Sequence, residues 1–270
     1  MDTAGKITIF GRDHQSKGKI YIQTLDSPGI ALGTSAGVTD KWNEDGIGAS
    51  VRGQELVLAI ADGHWGREAS EIAISKAVAL FDQSTSSSNA EIQARLFSLF
   101  EQVNIELFDL AKSSTVTPET TLIVCHIEEV ESGKSMHWAS FGDSYLFLLH
   151  DQHIRQLNTL YPRWLGYLSK LSENPEIRSI LVKALTDETR YVGVAGGLES
   201  GIEAVFPGDI IFLCTDGLLG SDSEPDPSVV DGLKEILRSD LPLGARMERV
   251  IASSLERGEK DNVSCVTACI

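Results

Sequence analysis

The sequence predicts an α+β protein built on antiparallel sheet. Short apolar runs recur along the chain, and many are joined by tight turns, the pattern of antiparallel pairing. Two long stretches with apolar residues at helical spacing stand between the runs, and more helix precedes the last one. No internal repeat and no linker composition divides the chain, so one domain over residues 1–270 is expected.

Residues 1–28 alternate weakly, with Ile7, Ile9, Ile20 and Ile22 among polar neighbours, and read as an edge hairpin or an N-terminal extension. Ile30 to Val38 is a small-residue strand that leads into an acidic loop, Thr39 to Asp45. Gly46 to Val51 and a turn at Arg52-Gly53 bring the chain to Leu56–Ala61, six apolar residues with no polar interruption, the mark of a strand buried on both faces. Helices follow at Arg67 to Phe81 and Ala90 to Ala111, separated by a serine-rich loop. Strands return at Thr120–Val130, Met136–Phe141, Tyr145–His150 and Ile154–Leu157. Leu160 to Tyr191 is irregular and helical, an insertion beside the sheets, and Val192–Gly197 reads as a strand. Ile202–Phe206 and Ile210–Thr215, joined by Pro207-Gly208-Asp209, read as a hairpin. Helix then fills Ser228 to Glu256, before a last strand from Val263 to Ile270.

Acidic residues outnumber basic ones, 39 to 23, for a formal charge of -16. Nucleic acid and anionic membrane surfaces need a basic face, so neither is an expected partner. No apolar run approaches the ~20 residues that span a bilayer, and the N-terminus lacks the layout of a secretory signal. Cys125, Cys214, Cys265 and Cys269 all lie in strand-like runs and fit no zinc spacing. They read as reduced core residues of a cytoplasmic protein.

The chemistry lies where aspartates meet strand ends. Asp62 follows Leu56–Ala61, Asp216 follows Ile210–Thr215, Asp143 follows Met136–Phe141 and a glycine, and Asp261 immediately precedes the last strand. Glycine follows both Asp62 and Asp216. Carboxylates brought together at the rim of a core repel one another and lose hydration, so a gathering of several implies bound cation. Oxygen ligands select a hard ion, Mg²⁺ or Mn²⁺, with Ca²⁺ fitting less well. His64, two residues after Asp62, exchanges protons near neutral pH.

In this order and spacing the motifs resemble the metal-dependent protein phosphatases of the 2C type. The matching pieces are Ser35-Ala36-Gly37 through Asn43-Glu44-Asp45, Ala61-Asp62-Gly63-His64-Trp65-Gly66, Thr120-Thr121-Leu122, Phe141-Gly142-Asp143-Ser144, Pro207-Gly208-Asp209, Cys214-Thr215-Asp216-Gly217-Leu218 and Asp261-Asn262-Val263. The resemblance implies a four-layer α-β-β-α sandwich, two antiparallel sheets face to face with helices outside. It also implies two Mn²⁺ or Mg²⁺ ions, with a weaker third in many members. Position by position, Asp62 would bridge the two metals, and Asp216 and Asp261 would complete the first. The Gly63 carbonyl, with Glu44 or Asp45 through water, would serve the second, and Asp143 the third. The implied reaction is hydrolysis of phosphoserine and phosphothreonine esters by a metal-bridging hydroxide, with His64 as general acid. A phosphorylated protein is the implied substrate, and a Ser/Thr kinase the implied counterpart.

Three positions depart from that pattern. Asp40 stands where most members carry a phosphate-gripping arginine, leaving Lys41 as the candidate phosphate contact and predicting a raised KM or a substrate that brings its own positive charge. Tyr145 replaces an arginine and Gly220 an aspartate, with Asp222 as a stand-in; both put the third metal in doubt. Residues 160–191 correspond to the family's variable flap, in which Tyr161, Trp164 and Tyr167 read as packing residues. The competing reading is a phosphatase-like binding module that sequesters a phosphoprotein, with Asp40 having disabled turnover.

Overall fold

The computed structural model describes residues 4–26, 29–39, 41–80, 88–113, 115, 118–130, 133–158, 198–219 and 225–270. Asp40, the flap at 160–191, the strand expected at 192–197, Gly220 and Asp222 lie outside the described residues.

Leu56–Ala61 shows how the layers are organised. The strand β5 (Glu55–Ala61) is inner in its sheet, pairing with β4 (Gly46–Arg52) on one side and β8 (Leu122–Val130) on the other. Because side chains alternate across a strand, Leu56, Leu58 and Ile60 enter the core between the two sheets, while Val57, Ala59 and Ala61 enter the core beneath helices. Each fully buried leucine or isoleucine contributes about 1.5–3 kcal/mol. A strand with two apolar faces therefore reads as an unbroken apolar run.

The first sheet completes with β1 (Ala4–Phe10), β9 (Gly133–Phe141) and β12 (Glu199–Val205), in the order β1-β4-β5-β8-β9-β12. The second contains β2 (Tyr21–Leu25), β3 (Gly29–Ser35), β10 (Tyr145–His150), β11 (His153–Gln156), β13 (Ile210–Cys214) and β14 (Val263–Cys269). Its order is β11-β10-β13-β14-β3-β2. All pairings are antiparallel. A two-residue strand β6 (Gly63–His64) pairs separately with β7 (Glu119–Thr120).

Helices α1 (Glu68–Val78) and α2 (Asn89–Ala111) cover the first sheet through Ala73, Ile74, Leu96, Phe100 and Val103. Ser88 caps α2 in a reciprocal box with Glu91, so the helix begins one residue before the expected Ala90. On the second sheet, α3 (Pro227–Arg238) and α4 (Leu243–Glu256) bury Leu233, Leu237, Met247, Val250 and Ile251. The four-layer sandwich follows. The cysteines are free, three of them buried and Cys269 partly so, as expected.

Two pairings differ from expectation. β12 and β13 are not a hairpin: β12 lies at the edge of the first sheet beside β9, and β13 lies within the second between β10 and β14. Their burial gives the reason. β12 alternates half-buried and exposed residues, as suits an edge, whereas all five residues of β13 are buried and need neighbours on both sides. The Phe206–Asp209 turn makes the step, closed by the Asp209 amide donating to the Phe206 carbonyl at 3.0 Å. Likewise β1 and β2 do not pair with each other, and each takes the edge of a different sheet.

Candidate metal centre

The registers bring the predicted aspartates to one end of the sandwich. Gly46 is paired with Ala61, placing Asp45 beside Asp62 where β4 and β5 meet. Tyr145 is paired with Cys214, and Cys214 with Cys265, so the Asp143 loop, Asp216 and Asp261 reach the same rim. Glycine permits the last approach. A Cβ on Gly217 would fall 2.0 Å from the Asn262 carbonyl oxygen, and one on Gly63 would fall 2.4 Å from that of Glu44.

Backbone and hydroxyl hydrogen bonds hold this rim. The Asp62 amide donates to Thr121 Oγ1 (3.0 Å), and its carbonyl accepts from the Thr121 amide and Thr120 Oγ1, both at 2.9 Å. Thr215 Oγ1 donates to Asp45 Oδ2 at 3.3 Å and accepts from the Ser264 amide at 3.0 Å. The Glu44 amide donates to Asn262 Oδ1 at 2.9 Å, tying the acidic loop to the Asp261 segment. Sequence reasoning missed several supports. Thr34 and Ser264 share a 2.8 Å hydrogen bond inside paired strands, and Asn43 Nδ2 donates to Thr34 Oγ1 at 3.0 Å. Asn158 secures the loop of Asp143 by donating to the Ser144 carbonyl at 2.8 Å. Their one visible signal was a small polar residue inside or beside an apolar run.

The electrostatics are those of an anionic cluster. Burial first, then repulsion from Asp45, Asp216, Asp143 and Asp261, pushes the Asp62 carboxyl well above the usual carboxylate range. Asp216 is pushed up to about 8 by burial and then by Asp143 and Asp261. Asp45 is pushed up to about 7 by burial and by the charge of Asp261, against hydrogen bonds from Ser264 and Thr215. Asp62 and Asp216 lie within hydrogen-bonding reach of each other, an arrangement that needs a shared proton or an intervening cation.

Glu44 and Asp45, the two alternatives at this position, are oriented differently. Asp45 is 2% exposed and faces the cluster, with its Oδ1 buried and unpartnered. The Glu44 carboxylate turns outward and accepts the Gly66 amide at 2.7 Å. Gly63 is buried on β6. His64 stands across from Glu119, which is 7% exposed, and its Nδ1 lies 3.7 Å from Asp62 Oδ1. Asp143 is half-buried on its loop. Lys41, the candidate phosphate contact, instead reaches Asp261 Oδ1 at 3.2 Å from an exposed position. Tyr145 is fully buried, stacked with Phe147 at a centroid distance of 5.9 Å.

Among the described residues, no three His, Cys, Asp or Glu side chains already stand in metal-holding geometry. The donor set nevertheless fits hard cations: oxygen ligands only, mutually repelling, and including an orphaned buried oxygen on Asp45.

The comparisons with known proteins agree with this architecture. The sequence is 27% identical over 247 residues to the serine/threonine phosphatase stp of Listeria monocytogenes, across 86% of this chain and 91% of that protein. The serine/threonine phosphatase of S. agalactiae superposes with a TM-score of 0.69 at 18% identity, covering 93% of this chain and 100% of that one. The catalytic domain of the serine threonine protein phosphatase PstP, solved with 2 manganese ions, superposes with a TM-score of 0.65 at 21% identity, covering 93% and 99%. No family model matches the chain.

Proposed function

We infer that this chain, a member of the 2C-type metal-dependent protein phosphatase family, hydrolyses phosphoserine and phosphothreonine esters of proteins. The observation that carries the reading is the rim itself, where Asp45, Asp62, Asp143, Asp216 and Asp261, drawn from five separate segments, repel one another. Asp62, Asp216, Asp261 and the Gly63 carbonyl would hold two Mn²⁺ or Mg²⁺ ions. Asp45 would act from behind through water, while Asp143 is the candidate for a weaker third ion. When bound, the ions supply the charge that neutralises phosphate and acidifies a water for direct attack on phosphorus.

The chain's own residues do the rest. His64 is half-buried at the mouth of the rim, placed to protonate the departing serine or threonine oxygen, a role worth about 10²–10⁴-fold in rate. The β6–β7 pairing fixes its backbone beside Asp62. With cations held at Asp261, its pull on Lys41, now 3.2 Å away, would weaken, and Lys41 would be the candidate contact for a phosphate oxygen. With Asp62, Asp216 and Asp261 retained and similar proteins named as phosphatases, turnover is favoured over a purely sequestering role. A cognate Ser/Thr kinase and a cytoplasmic setting complete the reading; among the described residues no helix is long and apolar enough to cross a membrane.

Hydrolysis of p-nitrophenyl phosphate with and without Mn²⁺, by the wild type and Asp62→Asn, tests the assignment. Metal-dependent turnover that the substitution abolishes is expected. Absence of turnover with both Mn²⁺ and Mg²⁺ would overturn the enzyme.

A further inference from the structure

Beside the rim, on its outer side, lies a concavity of about 170 Å³ lined by Trp42, Asn43, Glu44, Gly66, Arg67 and Glu68. Its components are unusual for an idle surface. Trp42 leaves 68% of its surface exposed, more than any other large apolar residue of the core or surface among those described. Two carboxylates converge at Gly66: Glu44 accepts its amide at 2.7 Å, and Glu68 Oε2 lies 2.7 Å from where a Cβ on Gly66 would stand. Gly66, at φ 135°, provides both the backbone turn and the space for this approach. Of the nearby cations, Lys41 reaches Asp261 at 3.2 Å, and Arg67, itself part of the lining, reaches Glu71 at 3.9 Å. The lining thus sets two carboxylates against one guanidinium, a net negative charge beside an exposed indole.

We propose that this concavity is a subsite for a cationic side chain, a substrate arginine or lysine flanking the phosphorylated residue. A guanidinium stacks on an indole face while donating to carboxylates, a combination that neither an apolar nor an acidic side chain can make. The subsite is built into the metal rim rather than hung beside it. The Glu44 backbone is held by Asn262, next to Asp261, and its carbonyl accepts from Ser70 at the start of α1. A phosphoresidue at the rim thus carries its neighbours across Trp42. The subsite rests on the phosphatase reading, and it gives the substrate a positive charge to complement the formal charge of -16.

The test uses phosphoserine peptides in which one arginine is walked along the flanking positions, each matched with a peptide carrying neutral, isosteric citrulline there. The full-length protein with Mn²⁺ is expected to favour the arginine peptide at one position by roughly tenfold in kcat/KM. The exposed substitutions Glu68→Arg and Trp42→Ala are expected to bring that ratio toward unity. Hydrolysis of both peptides at equal rates at every position overturns the subsite while leaving the phosphatase intact. If neither peptide is hydrolysed, the phosphatase reading fails instead, and calorimetric binding of the same pairs decides the subsite: equal affinity for arginine and citrulline peptides overturns it.

Discussion

Trp65 holds a backbone angle of φ 61°, in the left-handed region where a bulky side chain meets its own carbonyl, and leaves its indole 62% exposed. The residue follows His64, so the strain is stored on the loop that presents the proposed general acid. Left-handed backbone costs a non-glycine residue about 1–2 kcal/mol, against about 0.5–1 kcal/mol of extra chain entropy for glycine. Little burial is lost on removing an exposed indole. Trp65→Gly is therefore expected to raise the melting temperature by roughly 2–4 °C, read by a thermal melt; a fall would show that the indole makes a stabilising contact. At this scale the sequence was informative where an aspartate stood beside a glycine, as at Asp62 and Asp216. It was silent on Asn158, whose support of the Asp143 loop is a contact made between distant segments.

Secondary elements carry a second set of titratable groups, away from the rim. His126 on β8 and His137 on β9 are cross-strand partners, both buried, with ring centroids 6.4 Å apart. Burial first, then the charges of Arg95 on α2, His137 and Arg52 on β4, lowers His126 to about 3. His137 is lowered by burial and Arg95, with Glu128 Oε1 3.3 Å from its Nε2. In the unfolded chain a histidine protonates near 6.5, while the folded chain refuses the proton until about 3. No penalty exists above pH 6.5, and stability is lost progressively as pH falls from 6.5 toward 3. His126 costs roughly 1.4 kcal/mol per pH unit in that window, and the lowered His137 acts in the same direction. Between about pH 7.5 and pH 5 the raised carboxyls of the rim take up protons in the folded chain and favour it, so the histidine effect is read as a difference: the wild-type urea midpoint is expected to drop relative to that of His126→Gln as pH is lowered. A constant difference between the two proteins across the window would exclude His126 as a source of pH sensitivity. Strand existence was legible here because apolar runs are local; strand partnership was not. β12 and β13 are close in sequence and belong to different sheets, because one needs an edge and the other two neighbours.

For the whole molecule, the gathering of five carboxylates works against folding until cations offset it. Ions that bind the folded chain alone stabilise it by mass action, by about 2.7 kcal/mol at a hundredfold excess over Kd. Mn²⁺ is thus expected to raise the melting temperature by roughly 5 °C or more over protein treated with chelator. Asp62→Asn removes one charge from the repelling set, so its metal-free form should melt no lower than wild type while its Mn²⁺ shift shrinks. Equal shifts in both proteins would exclude Asp62 as a ligand.

The sequence by itself determined the mixed α+β class, the strand buried on two faces at Leu56–Ala61, and the aspartates at strand ends, because periodicity and Asp-Gly adjacency are properties of neighbouring residues. Only the tertiary structure decided that Asp45 rather than Glu44 faces the cluster, that Lys41 rests on Asp261, and that Glu44 and Glu68 meet at Gly66 beneath Trp42. Those outcomes depend on the register of β4 on β5 and on the approach of the Asp261 segment, set by contacts between residues 218 and 220 positions apart.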